Sequence, residues 1–114
     1  MRSGRERLLD IVEAIANIER RIGANREAFF QDELLQTWAV HHLQIIGEAA
    51  ARLSRELRDR SPQIPWPDVI DQRNVLVHHY FGIDLHEVWD SIARDLPVLK
   101  QQIQALLPAS GQAG

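Results

Sequence analysis

Apolar residues at the spacing of an α-helix run through most of this 114-residue chain. In the first stretch they recur at intervals of three and four, which places them on one face of a helix. These residues are Leu8, Ile11, Val12, Ile15, Ile18 and Ile22. The alternation that marks a strand does not occur, and there is no internal repeat, glycine-rich phosphate loop or cluster of metal ligands. The chain is therefore predicted to be all-α.

Glycines, prolines and capping residues set the expected helix ends. Gly23 stops the first helix, three prolines between Ser61 and Pro67 break the chain, and Pro97 bends the last helix. The expected elements are a helix at about 5–21, a short element from Asn25 with Phe29 and Phe30, helices at about 32–57 and 67–79, and a last helix after Asp84.

A single domain spanning 1–114 is expected, with a core at about 5–107 and a flexible tail at 108–114. Its architecture is predicted to be an up-and-down four-helix bundle with an additional short helix. The apolar seams are long for so small a chain, and the apolar surface left over favours a homodimer.

Composition limits the function classes. A formal net charge of −3 argues against a general nucleic-acid coat protein, although it allows an enzyme that holds one phosphate locally. The chain has no cysteine, and no apolar run approaches the length of a membrane span. A cytoplasmic protein with no membrane association and no cofactor is expected.

The segment at residues 71–82 is the hardest to explain as scaffold. On a helix, Arg73 falls in an apolar stripe with Val69, Leu76 and Tyr80. Burying a guanidinium without a partner is costly, so Arg73 either pairs with a carboxylate or lines a cleft. With Asn74 and His78 nearby, the segment has the side chains of an acid/base and phosphate-binding site.

The run Arg-Asn-Val-Leu-Val-His-His-Tyr at residues 73–80 resembles the Arg-x4-His-x-Tyr motif of the HepT toxins, which belong to the HEPN superfamily of helical ribonucleases. Segments 43–49, 64–66, 80–84 and 88–89 also resemble that family, in order and at the right spacing. The similarity covers about residues 5–107. It implies a dimeric HEPN-like bundle with its cleft at the interface, acting as a metal-independent endoribonuclease toxin.

Arg73 and His78 are the expected catalytic residues. Histidine titrates near neutral pH, at about 6.5, and arginine can hold two phosphate oxygens at once. On an ideal helix, however, residues five apart point roughly 140° away from each other. The arginine could reach around, the helix could loosen before His78, or two subunits could share the site. We favour the shared site.

Asn74 is expected to orient His78, or alternatively to bond a neighbouring helix as a buried polar residue. The resemblance implies that Tyr80 accepts AMP from an MntA-type nucleotidyltransferase antitoxin. Added charge and bulk there would block the RNA cleft. RNA and this antitoxin are the expected partners, as in a type VII-like toxin–antitoxin system.

Two other functions remain open. The chain could be a non-catalytic helical adaptor for a nucleotidyltransferase, with Arg73 in a structural ion pair with Glu48, or a nucleotide-binding HEPN module. Glu48 could instead pair with Arg52 on its own helix, which needs no tertiary assumption and is slightly favoured. Gly47 indicates close helix packing or contact with another subunit. A metal site at the pair His41 and His42 is not expected.

Overall fold

The computed structural model describes the backbone of residues 2–74 and 84–113, with side chains in 2–74 and 84–107. No strand occurs among these residues, and the predicted all-α class is confirmed. The helices are α1 (Gly4–Ile22), α2 (Arg26–Gln31), α3 (Glu33–Ala51), α4 (Arg55–Asp59), α5 (Trp66–Asp71), α6 (Leu85–Asp90) and α7 (Leu96–Ala113), with a π-helical segment at Ser91–Asp95. None of the helices described is both long and apolar enough to cross a membrane.

The long helix α1 forms the centre of the bundle and packs against α3 and α7. Near the start of α3, the indole Nε1 of Trp38 donates to the carbonyl of Asn17 near the end of α1, at 2.9 Å. Lys100, early in α7, bonds Glu19 at 2.7 Å. Both neighbours are therefore antiparallel to α1. The fully buried residues of the core include Leu8, Ile11, Ile15, Ile18, Phe29, Leu43, Ile46 and Ile103.

The ends of α1 follow from local chemistry. Ser3 and Glu6 form a reciprocal capping box: each side chain accepts a hydrogen bond from the other residue's backbone N–H. The bond from the Ser3 backbone N–H holds the pKa of the Glu6 carboxyl below its ordinary value. At the other end, Gly23 has a φ of 57° and its N–H donates to the carbonyl of Glu19. Gly23 therefore ends the first helix as predicted.

The second predicted helix, about 32–57, is wrong at its end because α3 stops at Ala51 and a separate helix follows. Ser54 has an extended backbone, and its hydroxyl accepts from the backbone N–H of Leu57 at 3.1 Å. A serine that caps a new helix cannot also continue the old one. The apolar spacing through Leu53 and Leu57 spans both helices.

The connection to α5 is closed by a buried hydrogen-bond chain. The Ser61 hydroxyl donates to the Leu57 carbonyl at 2.9 Å and accepts from the Trp66 indole at 3.1 Å. Trp66 thus covers the connection. The third predicted helix, about 67–79, differs from the structure in its described part, since α5 ends at Asp71. The remainder of this predicted helix falls on residues 75–83, which lie outside the described residues.

The last predicted helix is confirmed in position. The Asp84 carboxylate caps α6 by accepting from the backbone N–H of His86 at 3.0 Å. A π-helical segment lies just before Pro97, and in it the Leu96 N–H donates to the Ser91 carbonyl, five residues back. The bend predicted at Pro97 stays a prediction. Beyond Pro97, α7 runs to Ala113, and flexibility of residues 108–114 stays a prediction.

Candidate active site around Arg73

Arg73 lies immediately after α5, in a turn formed with Gln72. The backbone N–H groups of these two residues donate to carbonyls three positions back, those of Ile70 and Val69, each at 3.2 Å. Bonds of this span belong to a 3₁₀ turn rather than to an α-helix. The α-helical hydrogen bonding of α5 therefore ends before Arg73.

The side chain of Arg73 is exposed. The structure leaves 44% of its surface accessible, whereas Val69 in the preceding turn is buried at 6%. Arg73 is therefore not buried beside Val69, while Leu76 and Tyr80 of the predicted stripe lie outside the described residues. The change of helical geometry at Gln72 takes the arginine off the face that Val69 buries. An exposed guanidinium remains available to an anion from solution.

Gly47 brings the backbone of Arg73 against α3. A Cβ atom at Gly47 would lie 2.5 Å from the Arg73 backbone nitrogen and 2.8 Å from the Ile70 carbonyl oxygen. Side chains do not approach a backbone so closely, so only glycine permits this contact. The close packing predicted for Gly47 is confirmed. Its partner, the turn that carries Arg73, could not be identified from the sequence.

Glu48, next to Gly47 on α3, lies between two arginines. Its Oε1 is 3.9 Å from Nη1 of Arg73, and its Oε2 is 4.0 Å from Nε of Arg52. The two pairings considered from the sequence therefore occur together. Both separations are at the outer limit of an ion pair, and the carboxylate is 44% exposed. Neither pair has the geometry of a tight, buried salt bridge.

An open groove of about 350 Å³ runs between α1 and α3 beside this carboxylate. Its lining residues are Arg7, Asp10, Gln44, Ile45, Glu48, Ala49 and Arg52. Asp10 accepts two hydrogen bonds from the Arg2 guanidinium, at 2.5 and 2.7 Å, and this bonding raises the pKa of Arg2. The acidic groups along the groove thus have arginine partners, which lowers the repulsion that a phosphate would meet there.

The remaining predicted site residues are described only in part. Asn74 follows Arg73 and is exposed, so the alternative of a buried polar residue bonded to a neighbouring helix is wrong. His78 and Tyr80 lie outside the described residues. Their roles, and the role of Asn74 in orienting His78, stay predictions.

The two histidines of the pair His41 and His42 lie in different environments. His42 is buried, and its Nδ1 donates to the Trp38 carbonyl at 2.9 Å while its Nε2 lies 3.4 Å from the Asn17 amide nitrogen. His41 is exposed. Within residues 2–74 and 84–107, no group of three potential ligands is placed to hold a metal ion.

Together these features define an all-α bundle that presents an exposed arginine at the end of a short helix, beside a groove lined by further arginines. Residues 11–106 match the family model described as "Ribonuclease HepT-like". The chain therefore belongs to the HepT-like ribonuclease family, a family of RNA-cleaving enzymes.

Individual relatives agree with this assignment. A protein from Thermococcus cleftensis named "Probable ribonuclease HepT" is 36% identical over 109 residues, covering 92% of this chain and 96% of the relative. A protein from Caldanaerobacter subterraneus named "Putative RNase TTE0752" is 36% identical over 90 residues, covering 79% of this chain and 80% of the relative. No solved structure matches the chain.

Proposed function

We propose that this protein is a metal-independent endoribonuclease that acts as the toxin of a toxin–antitoxin pair. The observation that carries the proposal is the exposed guanidinium of Arg73, fixed through its backbone at Gly47 in a chain of the HepT-like ribonuclease family. An arginine with a closely packed backbone and an exposed head group can hold a phosphodiester without a large loss of freedom.

The proposed reaction needs two proton transfers and one site of charge stabilisation. His78 removes the proton of the 2′-hydroxyl, whose oxygen then forms a bond to phosphorus. Arg73 holds the phosphate oxygens as negative charge develops on them. The bond from phosphorus to the 5′-oxygen breaks, and an imidazolium returns a proton to that oxygen. The products are a 2′,3′-cyclic phosphate and a 5′-hydroxyl.

A homodimer in which two motifs face each other would provide one Arg73 and one His78 from each chain around a single phosphate. One histidine could then act as the base while the other acts as the acid. Asn74 would orient the imidazole of His78 and fix its tautomer.

The test of the reaction is cleavage of a panel of structured and single-stranded RNAs by unmodified protein in the presence of EDTA. We expect cleavage, with cyclic phosphate at the new 3′ ends, and its loss in Arg73→Ala and in His78→Ala. Arg55→Ala is the matched control, because Arg55 is an arginine with a 90% exposed side chain on α4. Intact RNA throughout, or equal cleavage by wild type and His78→Ala, contradicts the proposal.

Tyr80 is proposed as the point of regulation. An MntA-type nucleotidyltransferase would transfer AMP from ATP to the Tyr80 hydroxyl, forming a phosphodiester and releasing pyrophosphate. The added negative charge, two residues from His78, would repel the RNA backbone.

Intact mass after co-expression with a nucleotidyltransferase tests this regulation. We expect a gain of AMP units that maps to Tyr80, is lost in Tyr80→Phe, and accompanies the loss of RNA cleavage. An unchanged mass with inhibited cleavage would instead indicate neutralisation by binding alone.

The adaptor alternative requires Arg73 to act mainly as a structural ion-pair residue. The separation of 3.9 Å and the 44% exposure of both partners favour the nuclease, since exposed pairs stabilise a fold only slightly. Absence of RNA cleavage combined with stable binding to a nucleotidyltransferase would favour the adaptor.

A further inference from the structure

A carboxylate beside a proposed phosphate site requires an explanation. Glu48 places a negative charge next to Arg73, where it opposes the binding of RNA. The pair is half exposed and loose, so stabilisation of the fold does not account for it. The pair can still affect the direction of the arginine side chain, because a carboxylate on a helix restricts where a neighbouring guanidinium can lie.

The local geometry favours this directional role. Gly47 fixes the backbone of Arg73, while the long arginine side chain keeps several rotatable bonds. Glu48 is the next residue on the same helix, and it faces Arg73 with one oxygen and Arg52 with the other. The backbone of Arg73 thus lies against Gly47 and its guanidinium lies near Glu48, two adjacent residues of α3.

Arg52 makes the arrangement reversible. When a phosphate takes up the Arg73 guanidinium, the Glu48 carboxylate keeps Arg52 as a counter-ion and is not left unpaired. In this exchange the pair of Arg73 with Glu48 is replaced by the pair of Arg73 with phosphate. Glu48 is not left as an unpaired charge, because it keeps Arg52.

We infer that Glu48 is a positioning residue that holds the Arg73 guanidinium for an incoming RNA phosphate, with Arg52 as the counter-ion that allows the exchange. The inference rests on the proposed ribonuclease function. It predicts that the loss of the Glu48 carboxylate lowers kcat without weakening RNA binding. A merely structural residue would not separate these two effects.

The test is Glu48→Gln, assayed for RNA cleavage and for binding of a 2′-O-methylated copy of the substrate, which has no attacking hydroxyl. We expect kcat to fall roughly tenfold, because the arginine is no longer aligned. Binding of the methylated RNA should be unchanged or tighter, because a negative charge has been removed. The thermal midpoint should stay close to that of the wild type.

Arg52→Ala tests the counter-ion role: it leaves the carboxylate to Arg73 alone, so we expect RNA binding to weaken. Arg55→Ala, at an exposed arginine that does not line the groove, is the matched control and should keep the kcat and RNA binding of the wild type. A double-mutant cycle with Arg73→Lys, which keeps a measurable charge at the site, tests whether Glu48 acts through Arg73. Glu48→Gln should have little further effect on kcat in that background.

Two outcomes overturn the inference while leaving the nuclease intact: wild-type kcat in Glu48→Gln, or an equal loss of kcat with and without Arg73→Lys. If Glu48→Gln does not fold, Glu48→Asp provides the same comparison with a shorter carboxylate, and wild-type kcat there overturns the inference. Failure of the proposed function has a separate signature, in which wild-type protein leaves RNA intact.

Discussion

The ion pair of Arg73 with Glu48 is too exposed to contribute much to the stability of the fold. We therefore expect Arg73→Ala to abolish cleavage while lowering the free energy of unfolding by about 1 kcal/mol or less. Chemical denaturation of the variant beside wild type measures this. A loss of several kcal/mol would mean that Arg73 is a structural partner, as the adaptor alternative requires.

Gly47 allows the turn that carries Arg73 to pack closely against α3. In Gly47→Ala the new methyl group would meet the Arg73 backbone nitrogen at 2.5 Å, so the turn after α5 must move. We expect roughly 1–3 kcal/mol of destabilisation, as for other overpacked sites, and slower RNA cleavage by the folded protein.

Gly4→Ala is the control for this substitution. Its Cβ would lie 2.9 Å from a terminal methyl of Leu57, which is the flexible end of a side chain and can move away. Its unfolding midpoint should therefore stay near that of wild type. Equal effects of the two substitutions would contradict the role assigned to Gly47.

At the scale of elements, the start of α5 depends on the hydrogen-bond chain through Ser61. In Ser61→Ala the indole N–H of Trp66 would be buried without a partner, which costs about 1–3 kcal/mol. Denaturation of Ser61→Ala, of Trp66→Phe and of the double variant measures the coupling. We expect the two losses to be less than additive, and full additivity would show that the bond does not matter.

The helices also show which sequence signals were sufficient to predict where a helix begins or ends. The ends of α1 and the start of α6 were predictable, because Gly23 and Asp84 act through backbone groups a few residues away. The end of α3 was not, because apolar spacing continued through Leu57 while Ser54 capped a new helix. The apolar spacing favours one continuous helix, whereas the serine cap favours a break. Which of the two forms depends on tertiary packing, which cannot be read from the sequence.

At the scale of the whole molecule, the proposed shared site makes the oligomer testable. We expect a homodimer by light scattering, and partial recovery of cleavage when inactive Arg73→Ala and His78→Ala proteins are mixed and exchange subunits. Such a heterodimer would keep one arginine and one histidine at the shared site. No recovery, with the heterodimer verified by mass, would contradict a shared site in which one arginine and one histidine are sufficient.

The sequence by itself determined the all-α class, both ends of α1, the starts of several later helices and the family. These follow from apolar periodicity, from capping residues and from the motif at residues 73–80, all of which act over a few neighbouring positions. The same patterns identified Arg73 and Asn74 as candidates, and Gly47 as a point of close packing.

Only the tertiary structure decided how Arg73 is presented. It placed the arginine in an exposed 3₁₀ turn, brought its backbone against Gly47, and set Glu48 between Arg52 and Arg73. These relations join α3 to the end of α5, across more than twenty residues of chain. Helical periodicity gives the face on which a residue lies, but the neighbour that it meets there is fixed by how the helices pack.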